Sequence, residues 1–143
     1  MPVEWSDKLR IGVDAIDAQH RELFARVAAF ESALEHGETR RIADTFAFLR
    51  DYALVHFARE EELMRAAAYP SLDAHRAEHL QFVGRLSALV REHEAGGANA
   101  FLGLRARNWV VVWLLDHVAG TDQALGQYLL ARGAATLGGA ARS

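Results

Sequence analysis

"HFAREE", residues 56–61, places a histidine and a carboxylate four residues apart within a segment of helical periodicity. On a helix, His56 and Glu60 lie one turn apart on the same face. Apolar side chains share that face, and burying an imidazole or a carboxylate among them is costly unless each has a partner. Because a metal ion can be that partner, the stretch predicts a buried helix face that contains a polar site. The apolar neighbours are Leu49, Tyr52, Ala53, Phe57 and Met64.

The same spacing of apolar residues continues along the chain and predicts four long helices joined by short loops. Asp17 is a suitable N-cap for the first helix, the stretch HGET (36–39) supplies a glycine stop and a threonine start, and Pro70 breaks the pattern after the second helix. Without any strand signal, the pattern predicts an all-α fold, an antiparallel up-down four-helix bundle. The predicted helices cover about residues 17–36, 40–67, 71–94 and 98–120.

The chain of 143 residues is predicted to form a single domain with two non-helical ends. Residues 1–16 lack a helical period and are predicted to form an extended N-terminal arm. Residues 17–131 are predicted to form the helical bundle, and residues 132–143 a frayed, glycine-rich tail. On the fourth helix the residues predicted to face inward are Leu102, Trp109, Val112, Trp113 and Val118.

Composition excludes several classes of function. The net charge of −3 offers no basic surface for nucleic acid. The absence of cysteine excludes thiolate zinc sites and cysteine-held iron–sulfur clusters. The longest apolar run, WVVVWLL at 109–115, is too short to span a bilayer, and the N-terminus lacks the apolar core of a signal peptide. We therefore expect a cytoplasmic protein that binds neither nucleic acid nor membrane.

Five of the seven histidines lie on or beside the predicted apolar stripes, and every helix contributes at least one of them. His36, at a helix end, and His93, in the charged stretch REHE, are expected to be solvated instead. Two carboxylates accompany the inward histidines. The resulting candidate metal ligands are His20, His56, Glu60, His75, His79, His117 and Asp122.

A metal centre explains this set better than seven separate buried polar groups. A single buried histidine is usually hydrogen-bonded within the core, but neutral imidazoles offer only one donor and one acceptor each, so seven groups cannot easily satisfy one another. The spacing of His75 and His79 lets both reach one ion. His117 and Asp122 differ by about 140° around an ideal helix. They can share a site only if the helix distorts near Gly120 or if the site is broad, as a two-metal site is. Zinc is a lesser alternative metal.

Four segments resemble, in order, the ligand segments of the hemerythrins, most closely those of the single-domain bacterial members. The resemblance extends from Trp5 to about Tyr128. It implies two iron ions per chain (Fe2+/Fe3+) with an oxo or hydroxo bridge. One iron would bind His75, His79 and His117, the other His20 and His56, with Glu60 and Asp122 bridging both. The segments are GVDAIDAQH (12–20), HFAREE (56–61), YPSLDAHRAEH (69–79) and WLLDHVAGTD (113–122).

The resemblance also implies a function, which is reversible binding of O2 at the iron that has only two histidines. We expect a monomer that carries, stores or delivers O2, in the last case to an acceptor protein, and that is not an enzyme. Side chains that match the family's oxygen pocket would also serve as ordinary core packing. They are Leu23, Phe57, Trp113, Leu114 and Val118.

Two other classes of function stay open. A di-iron oxidoreductase of the ferritin-like kind uses more carboxylates, supplied with histidines by Glu-x-x-His motifs. This sequence contains no Glu-x-x-His; its nearest analogue is Asp17-x-x-His20, where Asp17 is better placed as a cap. An oxygen- or redox-sensing module that acts on a protein partner is the third class, although we expect no attached signalling domain.

Overall fold

The structure is a computed structural model that describes residues 3–97 and 99–133. A short 3₁₀ helix, Asp7–Leu9, precedes the bundle. The bundle consists of α1 (Asp14–Glu35), α2 (Arg41–Ala66), α3 (Leu72–Gly96), α4 (Ala100–Asp116), a π-helix (His117–Asp122) and α5 (Gln123–Ala131). Both α1 and α3 pack against α2 and α4, which confirms the predicted four-helix bundle. Over the described residues, no helix combines the length and the hydrophobicity needed to cross a membrane.

The first helix begins earlier than predicted, and the prediction of Asp17 as its N-cap is wrong. Val13 occupies the N-cap position and Asp17 lies inside the first turns of α1. The Asp17 carboxylate instead accepts hydrogen bonds from the backbone N–H groups of Ile11 (2.8 Å) and Gly12 (3.2 Å). It therefore satisfies donors of the segment that leads into α1, and it ties the N-terminal arm to the helix.

The other helix boundaries follow local turn chemistry. Gly37 has a φ of +73° just after α1, a conformation that favours glycine, as the predicted stop requires. Thr39 is not the N-cap of α2, since Arg40 occupies that position. Asn99 caps α4, and its side-chain oxygen accepts from the N–H groups of Phe101 and Leu102. Residues 134–143, most of the predicted tail, lie outside the described residues.

The inward face of the fourth helix agrees with the prediction at Leu102 and Val118, which are buried, and differs at the other predicted positions. Val112 was predicted to face inward but is 60% exposed. Trp109 and Trp113 are only half-buried. A four-residue step that starts at the predicted Leu102 gives the buried set of α4, because residues four apart lie near the same face of a helix. This buried set is Leu102, Ala106, Val110 and Leu114.

The core consists of two apolar clusters at different heights in the bundle. The larger, upper cluster includes Leu23, Phe57, Phe82, Leu114 and Val118, together with residues nearer the other end of the helices. The smaller, lower cluster consists of Ile11, Val13, Ile16, Met64, Leu125 and Leu129.

The N-terminal arm completes the lower cluster by packing against α5. Gln123 donates through its side-chain amide to the backbone oxygens of Lys8 and Arg10, both at 2.9 Å. Beside these bonds, Gly126 lets α5 approach the backbone of Ile11 closely. A Cβ added at Gly126 would overlap the Ile11 backbone oxygen and lie 2.7 Å from the Ile11 Cβ. The arm is therefore part of the fold.

We expect Gly126→Ala to destabilise the protein by about 1–3 kcal/mol or more, because the added methyl group meets rigid backbone. Gly84→Ala is the matched control, since Gly84 lies within α3 and a Cβ there meets nothing within 4 Å. The control should stabilise the protein by about 0.5–1 kcal/mol, the helix-interior cost of glycine. Chemical denaturation of both variants measures the difference. Equal stability of the two variants would contradict the packing of the arm on α5.

Candidate metal centre

All seven predicted ligands meet in one buried layer between the two apolar clusters. Along α1, Ile16 belongs to the lower cluster, His20 to the polar layer and Leu23 to the upper cluster. The other long helices cross the same layer. All seven residues are buried, with exposed fractions of 3% or less. The periodicity of the sequence predicted that the seven side chains lie on the inner faces of the helices, and in the structure they lie together in one layer.

Glu60 divides its two oxygens between two sets of histidines. Oε1 lies 3.1 Å from Nε2 of His75 and 3.1 Å from Nε2 of His79. Oε2 lies 2.8 Å from Nε2 of His56 and 3.6 Å from Nε2 of His20. One carboxylate therefore faces imidazoles on both sides.

Asp122 divides its oxygens in the same way. Oδ1 lies 3.0 Å from Nε2 of His75 and 3.1 Å from Nε2 of His117. Oδ2 lies 3.0 Å from Nε2 of His20. Two ligand sets result, each with its ligand atoms within 4.8 Å of one another. We call them the three-histidine set (His75, His79 and His117) and the two-histidine set (His20 and His56), and both include Glu60 and Asp122.

The π-helix explains how His117 and Asp122 share the site. A π-helix bonds residue i to residue i+5, so residues five apart lie close to the same face. Of the two alternatives left open by the sequence, a broad site or a helix distorted near Gly120, the structure shows the distortion, since the π-helix runs from His117 to Asp122. Both ends of this segment are buried, and both contribute to the three-histidine set.

Three further polar residues, which the sequence did not single out, hold the outer nitrogens of the histidines. Each comes from one helix and accepts from an Nδ1–H on the next helix along the chain. Each also adjoins a predicted ligand in sequence, and that adjacency was the available signal. The pairs are Gln19 with His56 (2.6 Å), Glu61 with His79 (3.0 Å) and Glu78 with His117 (2.8 Å).

These outer bonds test whether the inner layer fits a metal. Carboxylate and amide oxygens can only accept, so Nδ1 of His56, His79 and His117 carries the hydrogen. In a neutral ring Nε2 then carries a lone pair, and in these three histidines Nε2 faces a carboxylate oxygen at 2.8–3.1 Å. Two acceptors repel at this distance unless a proton or a metal cation lies between them. The donor set therefore fits cations.

The spacing of the ligand atoms also fits a metal. Ligand atoms that lie about 2.1 Å from one ion, at right angles, are separated by about 3.0 Å. Most of the nitrogen–oxygen distances within the two sets fall at 2.8–3.1 Å. Several of these buried atoms, including Nε2 of His20 and both oxygens of Asp122, lie at contact distance from one another but meet no partner in good hydrogen-bond geometry among the described residues. Imidazole and carboxylate together suit zinc, iron and related divalent ions.

Without a metal, protons must balance the two carboxylates. Burial lowers the pKa of His20 and His75, but hydrogen bonds and the charges of Asp122 and Glu60 outweigh burial and raise these pKa values to about 10 and about 9. Burial raises the pKa of Glu60, and the charge of His56 and hydrogen bonds from other histidines reverse this and hold it well below its ordinary 4.5. The pKa of Asp122 is likewise lowered.

Aromatic rings support two of the histidines from the upper cluster. Phe57 stacks on His79 with ring centroids 3.8 Å apart and an angle of 4° between the planes. Trp113 stacks on His117 at 4.3 Å and 13°. Of the predicted pocket residues, Leu23, Phe57, Leu114 and Val118 are buried in the upper cluster, and the half-buried Trp113 packs at its edge.

The two remaining histidines lie away from the layer. His36 is exposed, as predicted, and its Nδ1 lies 2.8 Å from the backbone oxygen of Ser32. The prediction that His93 is solvated is wrong, because it is half-buried and packs edge-to-face against Phe46 with ring centroids 5.9 Å apart. Neither belongs to a candidate ligand set.

We expect protein stripped of metal by a chelator to lose stability as the pH rises. The pKa values of His20 and His75 are raised above their ordinary 6.5, so their contribution is complete below pH 6.5 and is lost as the pH approaches 9–10. The contribution of Glu60 and Asp122 is lost instead as the pH falls through their ordinary values of 4.5 and 3.8 and below. Thermal unfolding of stripped protein from pH 6 to pH 10 tests this. A constant melting temperature over that range would contradict the assigned contacts.

Comparison with known proteins identifies the family of this chain. Residues 11–129 match the family model described as the hemerythrin HHE cation binding domain. A bacteriohemerythrin of Ralstonia nicotianae is 34% identical over 134 residues, 93% of each chain. One of Stenotrophomonas maltophilia is 33% identical over 120 residues, 84% of this chain and 76% of the relative. Another, of Clostridium acetobutylicum, is 25% identical over 123 residues, 83% of this chain and 95% of the relative. This chain belongs to the hemerythrin family of cation-binding domains.

Proposed function

We propose that the protein binds O2 reversibly at a non-haem di-iron centre and carries, stores or delivers it. The observation that supports this most directly is the division of the Glu60 and Asp122 oxygens between two sets of histidines. A carboxylate used in this way can bridge two ions. The names of the relatives, bacteriohemerythrins, support the same metal and the same ligand.

The two sets differ in the number of ligands that they offer. The three-histidine set offers five ligand atoms and the two-histidine set offers four. An ion that prefers six ligands therefore has more room for an external molecule beside His20 and His56. When bound, the iron pair would supply the two electrons that O2 binding takes up. The chain holds each Nε2 inward and keeps solvent from the layer.

Apolar side chains above the layer suit a bound O2 that must leave unchanged. Leu114 and Val118 are each 1% exposed and Leu23 is 5% exposed, so water reaches this side of the layer poorly. A site without water or nearby proton donors limits the loss of O2 as a reduced product. The same side chains pack the upper cluster whether or not O2 is bound.

The ligand set also argues for binding over oxidation chemistry. Five imidazoles contribute no charge, and two carboxylates contribute only two negative charges to two ions. Additional carboxylates, as in ferritin-like oxidases, would stabilise higher oxidation states and leave more positions for a substrate. The buried side chains of the upper cluster, directly above the histidines, are all aliphatic or phenylalanine and carry no polar group to orient a substrate.

A visible spectrum of the iron-loaded protein tests the proposal. We expect anaerobically reduced protein with two irons per chain to be nearly colourless, to gain colour in air and to lose it when O2 is removed. His79→Ala and His117→Ala should lose iron, because each deletes one member of the three-histidine set. His36→Ala should keep both irons, and His93→Ala should keep both with a small loss of stability. One zinc per chain, or equal iron loss in all four variants, would refute the assignment.

Leu114→Ala should bind two irons and O2, but its oxygenated form should decay faster. Truncation opens a cavity beside polar ligands, where water can enter. The cost in stability should be about 2–5 kcal/mol. Leu102→Ala is the matched control, because Leu102 is a buried leucine of the same helix, three turns away. The decay rate of the oxygenated spectrum at one pH measures the effect. If both variants decay at the parent's rate, Leu114 serves packing alone.

A further inference from the structure

The two outer carboxylates of the three-histidine set differ in how their charge is balanced. Glu61 accepts from Nδ1 of His79 at 3.0 Å through Oε2. Its other oxygen lies 3.7 Å from nitrogens of both Arg65 and Arg76. Two guanidinium groups therefore offset the negative charge of Glu61 before it acts on the histidine.

Glu78 has no such compensation. Its Oε1 accepts from Nδ1 of His117 at 2.8 Å, and the Thr121 hydroxyl lies 2.8 and 2.9 Å from its two oxygens. Within residues 3–97 and 99–133, no lysine or arginine forms an ion pair with Glu78. The Glu78 side chain is 40% exposed, so water screens part of its charge, but the hydrogen bond to His117 is direct.

On the opposite side of the centre, no carboxylate among the described residues accepts from an outer nitrogen of the two-histidine set. Nδ1 of His56 is held by the neutral amide oxygen of Gln19. Nδ1 of His20 is buried without a hydrogen-bond partner among the described residues. The ligand shell is therefore asymmetric, with anionic support confined to the three-histidine set.

We propose that Glu78, held by Thr121, is a positioning residue that lowers the reduction potential of the ion bound by the three-histidine set. This inference rests on the proposed di-iron function. A carboxylate that accepts the Nδ1–H of an imidazole makes the ring a more basic ligand at Nε2. A more basic ligand stabilises the higher oxidation state, and the bond also fixes the tautomer and the orientation of His117.

Thr121 has the opposite effect on the reduction potential, because it weakens the hydrogen bond between Glu78 and His117. A hydroxyl that donates to the carboxylate spreads its negative charge and weakens its pull on the His117 proton. Thr121 belongs to the π-helix, one residue before Asp122, so its bond to Glu78 also ties that segment to α3. Removal of the hydroxyl should strengthen the bond between Glu78 and His117 and lower the reduction potential further.

Spectroelectrochemical titration of the iron-loaded full chain tests the inference. Three variants are compared with the parent: Glu78→Gln, Thr121→Val and Glu94→Gln. We expect Glu78→Gln to raise the midpoint potential and to weaken iron binding by about 10- to 100-fold. Thr121→Val should lower the midpoint potential. Glu94→Gln removes the same charge from an exposed position of α3 and should leave both quantities at the parent values.

Opposite shifts in Glu78→Gln and Thr121→Val distinguish tuning of the histidine from general damage to the site, which would move both variants in one direction. The inference is overturned by shifts of the same sign, by a Glu78→Gln potential equal to the parent's with two irons bound, or by an equal shift in Glu94→Gln. A parent chain that binds no iron would overturn the proposed function and this inference together, and iron analysis of the parent separates that case from the others.

Discussion

The burial of two carboxylates in the middle of a helical bundle is the constraint on which the rest of the structure depends. Glu60 and Asp122 are fully inaccessible to water, and in this medium of low polarity the charge of Glu60 makes Asp122 harder to ionise. Their four oxygens need positive charge or donors at short range. Five imidazoles surround these oxygens. The rings can stabilise the carboxylates only if they are protonated or if metal ions lie between the rings and the carboxylates.

This constraint explains the layered core and the distorted fourth helix. Apolar clusters above and below exclude water from the polar layer, so each ligand must be held by protein contacts. The π-helix brings His117 and Asp122 to one face, which a regular helix cannot do. Around the bundle, a polar residue next to a ligand on one helix supports a histidine of the next helix, as Glu78 supports His117. Neighbouring helices are thereby coupled through the centre.

Much of this was predictable because it depends on short-range periodicity. The four helices, their breaks and the inward position of the candidate ligands follow from local sequence signals. The five-residue step between His117 and Asp122 left either a distorted helix or a broad site open, and only the structure shows the π-helix. The outer partners were not predictable, because a residue such as Glu78 reaches a different helix and its target depends on how the helices are rotated. Asp17 and Val112 were misassigned for related reasons. Asp17 accepts hydrogen bonds from the N-terminal arm instead of capping α1, and Val112 lies outside the buried face of α4.

We propose that Glu60 and Asp122 join two metal ions. Iron K-edge X-ray absorption on the loaded protein, in the reduced and the air-exposed form, measures this directly. We expect an iron–iron scattering contribution at less than about 4 Å, the separation typical of carboxylate-bridged pairs, together with imidazole scattering at each iron. Iron bound at one equivalent per chain, with imidazole scattering but no second metal in this range, would contradict it.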